Sequence, residues 1–389
     1  MEQFDLAVIG AGPAGNFAAY EAAKLGLSTA VFEEHEKIGE PVHCGECLSH
    51  AACERIGLEL PSDVISMDAK GIRLYFPDKS HTSLSEKGYT LEKEKFEQYL
   101  SSIAADEGAS YKMRHRVSGL SLEGGTWKIS TTSGEYSAKV IIDASGSEGA
   151  ASRLLKMNPS PKKVVGLQYE LSPVESDGFI DFFVWPRLAP HGYLWVIPKK
   201  NGRANVGLVC DDATLVRRNL DAFVGEWGLR EKKNAKAFGG FIPASGPVRS
   251  TYSDGIMLTG DAAGFTSPMF EGGTALAMTS GKFAAQVAAE AIRKGDTSRA
   301  ALAKYEKLWR MEFPDYSRLV GGKDAFYRFS DSELNQISSI LPPDLTDVSL
   351  LGKARVGAAV LARFPGLLAK GFVPAMDALG YSRAKYYGW

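Results

Sequence analysis

Residues 10–15 read Gly-Ala-Gly-Pro-Ala-Gly, a spacing suited to carrying a chain past a diphosphate. Gly10 permits a tight turn, Gly12 lets the backbone approach the anion, and Gly15 lets a following helix pack close to the preceding strand. Ala14 is counted with them among the expected contacts. Glu33 follows 18 residues after Gly15, where an acidic side chain accepts hydrogen bonds from ribose hydroxyls. Cys44 and Cys47 form a CxxC, which raises dithiol or metal chemistry. Zinc needs about four ligands and no partner pair is visible, so no metal is expected. Tyr193 and Trp195 stand two apart, and Asp261 and the pair Gly272-Gly273 lie in a second glycine-rich stretch.

These residues must be positioned by regular elements. Residues 4–9 (FDLAVI) read as a strand, the glycine run as a turn, NFAAYEAAKLG as a helix and residues 29–32 as a second strand ending at Glu33. That is the first βαβ unit of a Rossmann-type α/β domain, with the diphosphate at the helix N-terminus. Residues 138–146 (AKVIIDASG) and 255–264 (GIMLTGDAAG) each read as a buried strand running into a glycine turn. Gly272-Gly273 precedes a long helical pattern, an arrangement suited to backbone contact with a flat ring and to a helix N-terminus aimed at its carbonyls.

Taken in order, the three markers resemble those of the para-hydroxybenzoate-hydroxylase-like flavoproteins. The resemblance implies FAD, with Asp261 on its ribityl or ribose hydroxyls and Gly272 and Gly273 against the isoalloxazine. No second GxGxxG with strand and helix flanks follows, so the external electron donor stays open between a nicotinamide, ferredoxin and a deazaflavin. Where related flavoproteins commonly carry an arginine, residue 93 is lysine, which keeps the charge but lacks the planar fork. No cofactor role is assigned to it.

Two further segments are more specific. Residues 39–49 (GEPVHCGECLS) resemble the cysteine-glycine-acid segment of the geranylgeranyl reductases at Cys44, Gly45 and Glu46. Residues 190–198 (PHGYLWVIP) resemble the same family's Pro-x-x-Tyr-x-Trp-x-Phe-Pro motif at Pro190, Tyr193, Trp195 and Pro198, with Ile197 in place of the usual Phe. The resemblance spans residues 1–300 and implies saturation of isoprenoid double bonds on a prenyl lipid or prenyl diphosphate. It puts Cys44 beside flavin and alkene as the leading catalytic contact, with Glu46 and Tyr193 next and Trp195 lining the cavity. His43 and His191 are expected to be structural or solvated, and Cys47 and Cys53 inert. The rival is a monooxygenase or halogenase of the same fold, since YLWVIP also approaches the halogenase pattern Trp-x-Trp-x-Ile-Pro.

The markers divide the chain into a discontinuous FAD-binding domain (1–68, 92–160 and 250–300), an inserted antiparallel-sheet substrate domain (69–91 and 161–249) and a helical C-terminal region (301–389). With 44% hydrophobic and 23% charged residues and a net charge of −1, the chain reads as an ordinary globular protein without a nucleic-acid footprint. Four unevenly spread cysteines and an N-terminus without a basic leader suggest a reducing, cytoplasmic setting. Residues 350–389 hold six Lys and Arg against Asp377, and such cations among apolar residues suit peripheral contact with anionic lipid.

Overall fold

The computed structural model describes residues 1–387 of the chain. Its first sheet is built on Glu2–Ile9, which lies parallel to Gly134–Asp143 on one side and Thr29–Phe32 on the other. Ser110–Lys112 extends the sheet beyond Thr29–Phe32, and Ile256–Leu258 extends it beyond Gly134–Asp143, both again parallel. Parallel strands covered on both faces are apolar throughout, and Leu6, Ala7, Val8 and Ile9 are all buried. The register aligns Ile9 with Phe32 and Asp143, and Asp143 with Leu258, so four strands end at one level. The three glycine-marked turns therefore emerge along one edge, the usual place for a ligand on such a sheet. Helix Pro13–Lys24 packs against the long helix Thr274–Lys294 across this edge.

The second sheet has seven strands, in the order Lys233–Pro243, Lys163–Ser172, Arg203–Cys210, Tyr193–Lys199, Phe179–Phe183, Gly71–Tyr75 and His81–Leu84. All its pairings are antiparallel except that of Gly71–Tyr75 with Phe179–Phe183. Alternation separates its faces. Leu194 and Val196 join a cluster with Val206, Leu208 and Phe223 under helix Val216–Glu226, whereas Tyr193, Trp195 and Ile197 face the opposite way. Residues 69–91 are shared between sheets: Gly88–Leu91 pairs with Cys47–Ser49 and Ile65–Ala69 in a small three-stranded sheet.

Beyond residue 298 the chain is helical. Leu319, Phe326, Phe329, Phe372 and Ala375 belong to the same hydrophobic cluster as Tyr193 and Trp195, so this region closes over the inner face of the second sheet. Helix Leu350–Arg363 is different: it buries only Val360 and leaves Leu350, Leu351 and Leu361 largely exposed.

Candidate active site

The turns enclose a cavity of ≈ 390 Å³ lined by Gly10, Gly12, Ala14, Glu33, Cys44, Asp261 and Gly273, among others. Gly15 is not on its wall. A Cβ at Gly15 would stand 1.9 Å from the Gly10 carbonyl oxygen, so the residue acts from behind by letting helix and turn close together. Glu33 accepts the Ala11 amide at 2.8 Å on Oε2 and the His35 amide at 2.9 Å on Oε1, tying the end of the second strand to the glycine turn. Asp261 is held by the Thr266 hydroxyl at 3.1 Å, and burial raises its carboxyl above the usual range.

The helix ends at this cavity suit an anionic, carbonyl-rich ligand. Helices starting at residues 299, 316, 331 and 350 have side-chain caps from Ser298, Asp315, Ser330 and Ser349. Helices Pro13–Lys24 and Thr274–Lys294 have none, as is also true of Lys93–Asp106 and Val216–Glu226, and the cap residues of the first pair are Gly12 and Gly273 on the cavity wall. Their first amides have no side-chain partner and can receive the diphosphate and ring carbonyls of FAD. The volume lies within the range of ligand cavities, which begin at about 300 Å³.

A smaller pocket of ≈ 110 Å³ adjoins it, lined by Cys44, Gly45, Glu46, Tyr193, Trp195 and Gly272. Phe182, Ile197 and Phe270 make much of its wall apolar. The rings of Tyr193 and Trp195 lie 5.6 Å apart, and the Tyr193 hydroxyl donates to the Phe270 carbonyl at 2.7 Å. Gln168 joins the two motifs, since its amide donates to the Cys44 carbonyl at 2.6 Å while its oxygen accepts the Trp195 indole N–H at 3.0 Å. Gly207 makes room for that indole, as a Cβ there would meet it at 2.5 Å.

Burial governs the titratable groups. It raises the Cys44 thiol against the opposing effect of Lys93, which keeps the sulfur protonated. Burial likewise raises Glu46 despite its ion pair with Lys199, whose side chains are 4% and 3% exposed. Lys199 also reaches Glu92 at 3.2 Å. Although burial opposes its ionisation, Glu92 is held down at about 2 by the Ser66 hydroxyl, Lys199 and Arg203.

The remaining sequence candidates are scattered. Cys47 lines the smaller pocket, Cys53 is buried in helix His50–Ile56, and His191 is exposed and bonded to Asp211 at 2.8 Å. His43 lies on the walls of both cavities and bonds the Gly239 carbonyl at 2.7 Å. Sequence reasoning left Lys93 without a role, yet it lines the large cavity and donates to Glu97 at 2.6 Å. It also missed Gln168, Lys199 and Glu271. Only Glu271 carried a signal, as an acid immediately before Gly272-Gly273.

Residues 5–151 match a family model described as FAD dependent oxidoreductase, and residues 163–238 match one described as geranylgeranyl reductase catalytic domain. The chain is 32% identical to digeranylgeranylglycerophospholipid reductase 2 of Methanopyrus kandleri, over 94% of this chain and 98% of that protein. It is 33% identical to digeranylgeranylglycerophospholipid reductase of Methanocaldococcus jannaschii, over 89% and 93%. Both likenesses extend past residue 300, where the sequence motifs stop. Among solved structures, a geranylgeranyl bacteriochlorophyll reductase-like protein of Thermoplasma acidophilum superposes with a TM-score of 0.87 at 31% identity, over 95% of this chain and 98% of that one. A flavin-dependent brominase, at a TM-score of 0.71 and 20% identity over 98% and 100%, shares the fold. With relatives alike over nine-tenths of its length and a cavity suited to FAD, the chain belongs to the geranylgeranyl reductase family of FAD-dependent oxidoreductases.

Proposed function

We propose that the chain saturates the double bonds of geranylgeranyl groups carried on a membrane glycerophospholipid precursor. The observation that carries this reading is the apolar pocket opening off the FAD cavity, with Cys44, Glu271 and Gly273 on the walls of both. When bound and reduced, FAD supplies hydride to one alkene carbon. The chain's own residues hold the alkene, exclude water and bring a proton to the other carbon. Tyr193 and Trp195 are the proposed walls for the hydrocarbon, and Cys44 is the proposed contact at the reacting carbons. Glu46 supports the Cys44 segment from below, because its amide lies 3.2 Å from the Cys44 sulfur and its carbonyl accepts the Leu91 amide at 2.8 Å. Of the cofactor contacts, Gly10, Gly12 and Ala14 are assigned to the diphosphate and Glu33 to ribose. Asp261 takes a ribityl or ribose hydroxyl, and Gly45, Gly272 and Gly273 the ring.

An external reductant, whether a nicotinamide, ferredoxin or a deazaflavin, resupplies electrons. Lipid is met at the membrane surface: Leu350, Leu351 and Leu361 are exposed on one helix with Lys353, Arg355 and Arg363, a pairing of apolar and cationic groups that suits anionic lipid. Among the described residues, no helix is long and apolar enough to cross a membrane.

The test is anaerobic. The FAD-loaded chain, reduced chemically and mixed with digeranylgeranylglycerophospholipid, should regain its flavin absorbance while the lipid gains two hydrogens per bond. Reoxidation only on admission of dioxygen would favour the monooxygenase or halogenase reading.

A further inference from the structure

An isolated alkene is a poor hydride acceptor, so the proton must arrive ahead of the hydride or with it, and the strength of the acid matters. Cys44, His43 and Glu271 are the titratable side chains on the walls of both cavities. His43 is largely exposed and engaged with a carbonyl. An ordinary thiol is about four pK units weaker than an ordinary carboxyl. Glu46 is the other acid of the pocket, but it lines only the smaller cavity and is closely paired with Lys199.

Glu271 is placed differently. Its side chain is 3% exposed, and its Oε1 accepts a hydrogen bond from Lys323 Nζ at 2.7 Å. Oε2 is buried and accepts no hydrogen bond among the described residues, the nearby Tyr193 hydroxyl donating to the Phe270 carbonyl at 2.7 Å instead, and such a carboxyl oxygen is rare and calls for a ligand or a proton. The backbone at Glu271 is in the left-handed region, φ +48°, as it is at Glu46, φ +76°, a conformation uncommon for a non-glycine residue. Lys323 reaches it from helix Tyr316–Phe326 in the C-terminal region, 52 residues away.

We propose that Glu271 is the proton donor of the reduction, a catalytic residue, and that Lys323 is its positioning residue. This rests on the reading of the pocket as the seat of alkene reduction. The Oε2–H bond breaks as the π electrons of the alkene form a C–H bond to that proton. The hydride supplied in the proposed reduction forms the second C–H bond, and the flavin is left oxidised. Glu271 ends as a carboxylate stabilised by Lys323 and regains its proton from solvent. Burial keeps the carboxyl protonated above the ordinary range, while Lys323 opposes this and so strengthens the acid. The titratable groups facing it are Lys323, Tyr193 and Tyr327.

The test compares the full FAD-loaded chain with its Glu271→Gln, Lys323→Met and Glu271→Gln/Lys323→Met variants, the double variant removing the buried lysine that the single one leaves unpaired. Three readouts are needed: FAD affinity by fluorescence, anaerobic reoxidation of the reduced flavin by digeranylgeranylglycerophospholipid against pH, and titration of the ¹³C-labelled Glu271 carboxyl in cofactor-free protein. The proposal expects FAD affinity within about twofold of wild type in both Gln variants, with reoxidation slower by about 100-fold or more, in the range ascribed to a lost general acid. Wild-type reoxidation should fall as pH rises through the Glu271 titration, and Lys323→Met should move both the rate limb and the carboxyl resonance to higher pH. Reoxidation in the double variant at a third or more of the wild-type rate overturns the proposal. So does loss of FAD binding in both Gln variants, which would give the Glu271 carboxyl the task of holding the cofactor rather than of supplying the proton. An inert wild type would instead remove the reading of the pocket on which the proposal stands.

Discussion

The two chambers share a boundary but are walled differently. The FAD cavity is bounded where it matters by backbone: glycine turns at strand ends and two helix N-termini without side-chain caps. The pocket beside it also has glycines on its wall, Gly45, Gly166, Gly239 and Gly240 among them, but the side chains of its two motifs are locked by partners far away in sequence. Gln168 holds Cys44 across 124 residues, and Lys199 holds Glu46 across 153. A backbone wall offers fixed dipoles that need no counter-charge, whereas a charged side chain in a wall needs a counter-charge, because a charge buried alone is costly. One wall is therefore sensitive to added volume and the other to lost partners.

Removing a partner should give the largest effect. Lys199→Met leaves the Glu46 carboxylate buried without its ammonium and should destabilise the chain by about 3–5 kcal/mol, read by urea unfolding. Burial already raises Glu46, and losing Lys199 raises it further. Below about pH 4, folded and unfolded chains both carry the Glu46 proton and that share of the deficit vanishes, while the share from Glu92, held at about 2, persists to lower pH. As pH rises the unfolded chain ionises first, so the deficit should grow toward pH 8. A deficit independent of pH would mean that Lys199 acts by packing alone. Adding volume to the backbone wall comes next: Gly15→Val drives a side chain into the Gly10 carbonyl and should cost about 3 kcal/mol. Retention of FAD through gel filtration should be lost, and normal retention would break the contrast. The smallest effect is expected from Gln168→Leu, which removes two bonds at the pocket for about 1–3 kcal/mol. It should shift the Trp195 fluorescence and raise KM for the lipid, with FAD affinity unchanged to within about twofold.

The same contrast explains what was legible beforehand. Gly10, Gly12 and Glu33 lie within one βαβ unit, so their convergence follows from local periodicity and turn chemistry. Asp261 and Gly273 carry the same strand-turn-helix signal further along. Tyr193 and Trp195 stand two apart on a strand and share a face, as alternation requires. Nothing local announces Gln168, an ordinary polar residue in mid-strand, because its partners are chosen by register between strands. Lys199 and Lys323 are equally silent, since each is defined by the acid it meets. Lys93 was set aside for lacking the guanidinium fork, although position put it on the cavity wall. Gly15 was counted as a contact, yet it shapes the turn from behind. The strand Gly88–Leu91 falls within a stretch read as part of the larger sheet, but it pairs with Cys47–Ser49.

A chamber of ≈ 110 Å³ is small beside the hydrocarbon it is proposed to receive, less than half of even a modest ligand cavity at about 300 Å³. Only a short stretch of a polyene fits at once, so each unsaturated unit takes its own turn while the remainder trails outside. On the proposed reading the hydrocarbon withdraws and advances between turnovers, and the length that can be fed inward, rather than affinity for the whole molecule, sets which bonds are reached.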